Sequence, residues 1–434
     1  MKNKYIISIA IFFIVLAGMG LFSFLDPDDV FSDSENRELS SMPSFELSSY
    51  LDGSFMTDFE TYFNDQFPFR NQFLSFSKSY NALMFPNYLI SEDDVITLPS
   101  SGVIAGSTED TGDSEDGQEV SETEIPDVNN GKMLYGGRIM EIFKVSESFV
   151  TKYTTIVNQL TAECGYPDTY VLLAAPEYTL YAPDSYKSDD TNFDTSFDLM
   201  VSQLENITVV DVRKTFTDKK DEYLYFRSDH HWTALGAYYA CNEFLKASGN
   251  PILPPLATYE SGERTGFLGS LYKDIMTTQL GSIFENNPDT VKYYFPFAEA
   301  EVTSYTTTAL TDPTIRQVIY PDYDRNTNLY AIYMGGDIPL GHITTGTKNG
   351  KSIMVVRDSY GHAFIPFLID AYEEIWLVEP RYFNDTTNKF ELGEFFIAHD
   401  IDTLLFLGYP NMTIGAYWTT IAKYLEYMVS TPDN

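Results

Sequence analysis

The sequence predicts an α/β fold, a parallel sheet flanked by helices, preceded by an N-terminal membrane-spanning helix and a helical collar. Three observations carry that prediction. From Gly131 onward, short apolar runs alternate with helix-period segments, the pattern of buried parallel strands joined by crossover helices. The chain opens on a long uncharged run. Hydrophobic residues make up 44% of the 434, enough to build a large core in spite of a net charge of -36.

Taken in order, Tyr5 to Leu25 is uncharged and about long enough to cross a ~30 Å hydrocarbon layer as a helix. Lys2 and Lys4 precede it while Asp26, Asp28 and Asp29 follow, so the positive-inside rule places everything after Leu25 outside the cell. The expected location is the cell membrane, single-pass, with the bulk of the chain extracytoplasmic. The alternative is secretion after signal cleavage, for which Leu16 to Gly20 has small residues without the A-x-A spacing. Residues 26–106 read as a helical, aromatic-rich, membrane-proximal collar. Residues 107–130 hold nine acidic residues and no basic one, the composition of an exposed disordered loop.

Residues 131–434 form the α/β domain. Its expected strands are Tyr170–Ala175, Ile207–Val212, Ser352–Val356, Ile375–Val378 and Thr403–Leu407, with helices between them. One helix follows Trp232, because Leu235, Tyr238, Cys241 and Leu245 share a face and Gly249 ends it. Residues 251–325 break the rhythm and read as an insertion. The two cysteines, Cys164 and Cys241, are too few for a disulfide framework and read as buried thiols. With 63 acidic against 27 basic residues, the surface repels phosphate backbones, which excludes nucleic acid as a partner.

Two clusters carry reactive residue types. In Arg227-Ser-Asp-His-His-Trp-Thr233, between a strand-like stretch and a helix start, Asp229 can fix the tautomer of His231 and stabilise its cation. In Val355-Val-Arg-Asp-Ser-Tyr-Gly-His362, a strand runs into Ser359, whose hydroxyl would stand beside the amides of a helix N-terminus. Ser359 is thus the candidate nucleophile, with helix capping as its second reading. His362 is an alternative base. No metal site is expected, since adjacent ligands such as Asp229, His230 and His231 rarely converge on one ion.

These residues carry a resemblance. Ser-Asp-His-His-Trp-Thr resembles the signature of the DHHW protein family. Glu35-Asn-Arg-Glu-Leu39, Asp65-Gln-Phe-Pro-Phe-Arg70, Phe267-Leu-Gly-Ser-Leu-Tyr272, Tyr333-Met-Gly-Gly-Asp337 and Arg357-Asp-Ser-Tyr-Gly-His-Ala-Phe-Ile-Pro-Phe367 resemble its flanking blocks. The family in turn is similar to the SGNH-hydrolase-like alginate O-acetyltransferases, in which the Asp-x-His pair precedes the serine. That resemblance implies an SGNH-like sheet, with Ser359 as nucleophile, His231 as general base and Asp229 as its orienting partner. It also implies oxyanion or substrate contacts, for which Gly336, Asp337, Tyr360, His230 and Arg357 are the candidates. Asp337 stands where asparagine is expected, and an ionised carboxylate cannot donate a hydrogen bond.

The function so implied is a cell-surface serine acyltransferase or esterase acting on O-acetyl groups of an envelope or extracellular glycan. It needs no cofactor, and as a transferase it would take acetyl from a membrane acetyl-transporting partner. The rival reading is a non-catalytic glycan-binding or scaffold protein that keeps the fold.

Overall fold

The computed structural model describes residues 31–32, 37–38, 40–45, 47–67, 76, 96–98, 131–276, 280–324, 326–383, 389–410 and 424–430. The apolar run Tyr5–Leu25 and the acidic segment 107–130 lie outside them. Among the described residues, no helix is long and apolar enough to cross a membrane.

The chain divides into two compact units, residues 1–89 with 273–286, and residues 90–272 with 287–434. In the first, helices Leu47–Asp52 and Ser54–Asp65 carry a row of aromatic contacts, Phe45 to Phe55 to Phe59 to Tyr62. The Asp65 carboxylate accepts the Ser40 amide at 2.9 Å, tying the end of the second helix to the segment before the first.

The second unit is built on one eight-stranded sheet. Its strands are β1 (Asp168–Leu173), β2 (Thr208–Val209), β3 (Ala300–Tyr305), β4 (Thr314–Arg316), β5 (Leu340–Thr345), β6 (Ser352–Arg357), β7 (Glu374–Val378) and β8 (Thr403–Gly408). Their spatial order is β4-β3-β5-β7-β6-β8-β1-β2. From β7 to β2 every pairing is parallel, and these five strands are the five apolar runs of the sequence. β6 has a parallel partner on each edge and is buried on both faces from Ile353 onward, so it reads as the unbroken run Ile353-Met-Val-Val356.

The sheet differs from an all-parallel one at its other edge, where β5, β3 and β4 pair antiparallel. β3 and β4 fall inside the segment expected as an insertion. β3 alternates, burying Val302 and Ser304 and leaving their neighbours more exposed, and that polar alternation conceals a strand from a search for apolar runs. Within the same segment, Ser261–Phe267 and Asp289–Tyr294 form a separate hairpin-like pair outside the sheet.

Helices α1 (Glu147–Glu163), α2 (Phe193–Gln203) and α5 (Leu392–Ala398) pack together on the sheet, as do α3 (Ala234–Ala247) and α4 (Gly361–Leu368). α3 buries Ala237, Cys241, Phe244 and Leu245, and Phe244 meets Tyr170 of β1 edge to face at 5.3 Å. Cys164 and Cys241 are both buried free thiols.

Candidate active site

Ser359 sits where β6 gives way to α4, and its position is fixed by the residue before it. Asp358 is buried, and its two carboxylate oxygens accept the amides of Tyr360 at 2.8 Å and Tyr409 at 2.9 Å. The turn is therefore pinned to the end of the neighbouring strand β8. Burial, reinforced by the Glu379 charge, pushes the Asp358 carboxyl up to about 6, against the pull of those amides. Gly361 follows because a Cβ there would lie 2.6 Å from Arg357 Cδ. The amides of Tyr360, Gly361 and His362 are all used inside the turn. Among the described residues, that of Ser359 has no such partner.

Asp229 and His231 ride on a loop closed by a bridge between Tyr225 and Trp232, directly ahead of α3. The strand-like stretch expected ahead of the pair forms only this bridge and joins no sheet. Leu224, Tyr225, Phe226 and Trp232 are all fully buried, so the strand-like stretch spends its apolar side chains on the core beneath the loop rather than on sheet pairing.

Asp289 holds that loop from the hairpin. Its Oδ2 accepts the amides of Arg227 and Ser228 at 3.0 and 2.9 Å and the Ser228 hydroxyl at 2.6 Å, while its Oδ1 accepts Arg227 Nε at 2.9 Å. Asp289→Ala should cost ~3–5 kcal/mol, as removal of one member of a buried charged network does. Urea unfolding checks this.

Three of the residues singled out in the sequence come together here. His231 Nε2 lies 2.7 Å from Ser359 Oγ, and His231 Nδ1 lies 2.5 Å from Asp229 Oδ1. The hydrogen positions follow from charge. Burial alone would raise the Asp229 carboxyl, but Coulomb attraction to the His231 and His230 rings, with hydrogen bonds from His231 and the Ser270 amide, holds it well below the carboxylate range. An ionised carboxylate only accepts, so Nδ1 carries the proton and Nε2 presents a lone pair to the serine hydroxyl.

The second Asp229 oxygen accepts the Ser270 amide at 2.6 Å. That approach requires Gly269, where a Cβ would fall 2.2 Å from Asp229 Cβ. Two further bonds join the loop to the nucleophile turn: Trp232 Nε1 donates to the Tyr360 carbonyl at 3.0 Å, and the Tyr360 hydroxyl donates to the His230 carbonyl. Tyr360 is fully buried and stacked on Tyr409, so it builds the site from below. His230 bonds Ser270 Oγ through Nδ1 at 2.7 Å, and burial together with the neighbouring His231 charge pushes it down to about 3.

Asp229, His230 and His231 offer ligand atoms that all lie within 4.8 Å of one another. A metal there would have to displace the hydrogen bonds just described, since both nitrogens of His231 and both oxygens of Asp229 are engaged.

Asp337 and Arg357 belong to a different cluster. Arg357 is buried against Glu379 at 3.4 Å and donates to the Ile338 carbonyl at 3.2 Å. Asp337 meets Arg381 Nη2 at 3.2 Å and Tyr382 at 3.3 Å. Burial would raise its carboxyl, yet His362, Arg381 and Arg357 hold it low, so it is an acceptor. Gly336 closes the turn ahead of it, its amide donating to the Tyr333 carbonyl at 3.3 Å.

His362 Nε2 lies 2.9 Å from Arg357 Nη1 and 3.2 Å from Asp337 Oδ1. A guanidinium only donates, so Nε2 accepts from it and is not free to act as a base. Burial and the Arg357 charge push His362 down to about 4. Between about pH 6.5 and 4 the unfolded chain therefore binds a proton at this residue that the folded chain does not, and stability falls as pH falls through that window. His362→Gln should flatten the decline by up to about 1.4 kcal/mol per pH unit, measured by urea unfolding at pH 7 and 5.

Sequence reasoning missed Asp289, Asp358 and Tyr330, whose ring lies 3.9 Å from that of His231. Asp358 and Ser270 had a signal, in the blocks Arg357–Phe367 and Phe267–Tyr272.

A family model described as "DHHW protein" matches residues 35–97 and 117–378. Among solved structures, a DHHW family protein from Eubacterium siraeum DSM 15702 is 24% identical, covering 70% of this chain and 96% of its own, with a TM-score of 0.59. Bacillus cereus PatB1 is 15% identical. Its structure with a sulfonyl adduct covers 65% of this chain and 96% of its own with a TM-score of 0.52, and its structure without that description gives 65%, 97% and 0.53. Both likenesses are of fold. No curated protein matches the chain.

Proposed function

The chain belongs to the DHHW protein family, and on that premise we propose that it is a serine acyltransferase or esterase acting on O-acetyl groups of an envelope or extracellular glycan. One observation carries the chemistry: the unbroken hydrogen-bond chain from Asp229 through His231 to Ser359. Ser359 Oγ attacks the acetyl carbonyl as its proton passes to His231 Nε2, and Asp229 stabilises the imidazolium that forms. His231 then returns the proton to the departing atom, the sugar oxygen in an esterase or the leaving group of the acetyl donor in a transferase, leaving Ser359 acetylated. A sugar hydroxyl or water, deprotonated by His231, resolves the ester and restores the serine. The amide of Ser359 is the candidate donor to the oxyanion, a role that Asp337 cannot fill.

The glycan and a membrane partner delivering acetyl rest on the family resemblance together with the N-terminal apolar run. Incubating the full chain with a chromogenic acetyl ester, with and without an acceptor oligosaccharide, tests the reading. Release of the chromophore supports acyl chemistry, and acceptor acetylation identifies a transferase. If the chain neither hydrolyses the ester nor reacts with a serine-directed fluorophosphonate, the enzyme reading is wrong and the scaffold one takes its place.

A further inference from the structure

Both flat faces of the His231 imidazole are covered. Tyr330 stacks on it with 3.9 Å between ring centroids and 12° between planes, and His230 lies 3.9 Å away at 36°. Two rings that close to a third cannot share one face without overlapping, so they take opposite faces. What remains open is the edge of the ring, where Nδ1 meets Asp229 and Nε2 meets Ser359.

Tyr330 is itself held in place. It lies on the segment Asn326–Ile332, is 4% exposed, and is met edge to face by Tyr333 at 5.3 Å and Phe226 at 6.2 Å. Its hydroxyl is buried and faces the Ala363 amide without making a hydrogen bond of normal geometry. The ring, rather than the hydroxyl, is the part that the surroundings fix against His231.

Building on the acyl-transfer reading, we propose that Tyr330 is a positioning residue whose ring clamps the His231 imidazole against His230, allowing its nitrogens only the Asp229 and Ser359 directions. Rotation about the Cβ–Cγ bond of His231 would swing both nitrogens off their partners, and Tyr330 occupies the space such rotation needs. Misplacement of a catalytic group by about 1 Å can cost on the order of a hundredfold in rate.

The test uses the full chain and two variants. Tyr330→Phe keeps the flat ring and removes the hydroxyl, whereas Tyr330→Met fills similar space with a flexible thioether that has no flat face. The first readout does not depend on turnover: the strongly downfield proton NMR resonance of His231 Nδ1–H bonded to Asp229, assigned by its loss in His231→Gln. It should be sharp in the wild type and in Tyr330→Phe, and broadened or absent in Tyr330→Met.

The second readout is the rate at which a fluorophosphonate phosphonylates Ser359, a step in which Oγ displaces fluoride and His231 takes the proton. It should fall about a hundredfold in Tyr330→Met and stay within about threefold in Tyr330→Phe. An unchanged resonance and rate in Tyr330→Met overturn the clamp. So does a Phe variant as impaired as the Met variant, which would give the role to the hydroxyl. Should Tyr330→Met fail to fold, the Phe variant decides: a sharp resonance and an unchanged rate support the clamp, and their loss overturns it. A wild type that resists phosphonylation counts against acyl chemistry, while the resonance still judges the clamp.

Discussion

Ser359→Ala is expected to abolish reaction with fluorophosphonate and to lower acetyl-ester turnover by at least about 10⁴-fold, the loss typical when a serine triad is deprived of its nucleophile. The substitution removes one oxygen and with it the 2.7 Å bond to His231 Nε2. It leaves the Asp358 carboxylate bridging the Tyr360 and Tyr409 amides, which shape the turn. The cost in stability should accordingly be about 1 kcal/mol, seen as a small shift of the urea midpoint. A folded Ser359→Ala protein that hydrolyses the ester at the wild-type rate would move the chemistry to another residue and leave the Asp229–His231–Ser359 chain without a catalytic role.

Asp229→Asn should cost turnover nearly as much, about 10⁴-fold, by a different route. The carboxylate offers two acceptor oxygens, and three N–H groups use them: the His231 ring and amide at Oδ1, and the Ser270 amide at Oδ2. An asparagine side chain offers one acceptor and one donor. Whichever way the amide turns, at least one of those groups faces another donor. If the NH₂ faces His231, the ring takes the other tautomer, Nε2 becomes protonated, and it can no longer accept from Ser359. If it faces Ser270, the loop loses a buried hydrogen bond at a cost of about 1–3 kcal/mol. Steady-state kinetics separates the two, because only the first orientation changes the tautomer and lowers kcat strongly, whereas each loses a buried hydrogen bond from a backbone amide, that of His231 or of Ser270. Combining Asp229→Asn with Ser359→Ala should give no further loss, since residues acting as a unit are not additive.

How much of this could be read before the fold was known depends on the range of each interaction. Four of the five parallel strands declared themselves because burial on both faces demands apolar runs, a purely local signal, whereas the edge strand Thr208–Val209 is not buried. The antiparallel edge did not, because strands half-buried at a sheet edge alternate with polar residues and look like loop. Asp229 and His231 were legible as a pair because they are two residues apart and the carboxylate reaches the ring within one turn. Asp358 stood beside the candidate serine unremarked, since its partner Tyr409 lies on another strand.

By itself, then, the sequence determined the residue types of the site, their chain order and the central sheet that carries the serine. Only the tertiary structure brought Ser359 to His231 across 128 residues. It alone made Asp289 the support of the loop and set Asp337 against Arg381. It also laid Tyr330 on the imidazole. Hydrogen bonds and ring contacts act over a few ångströms whatever the separation along the chain, so their partners are chosen by topology, which no local spacing records.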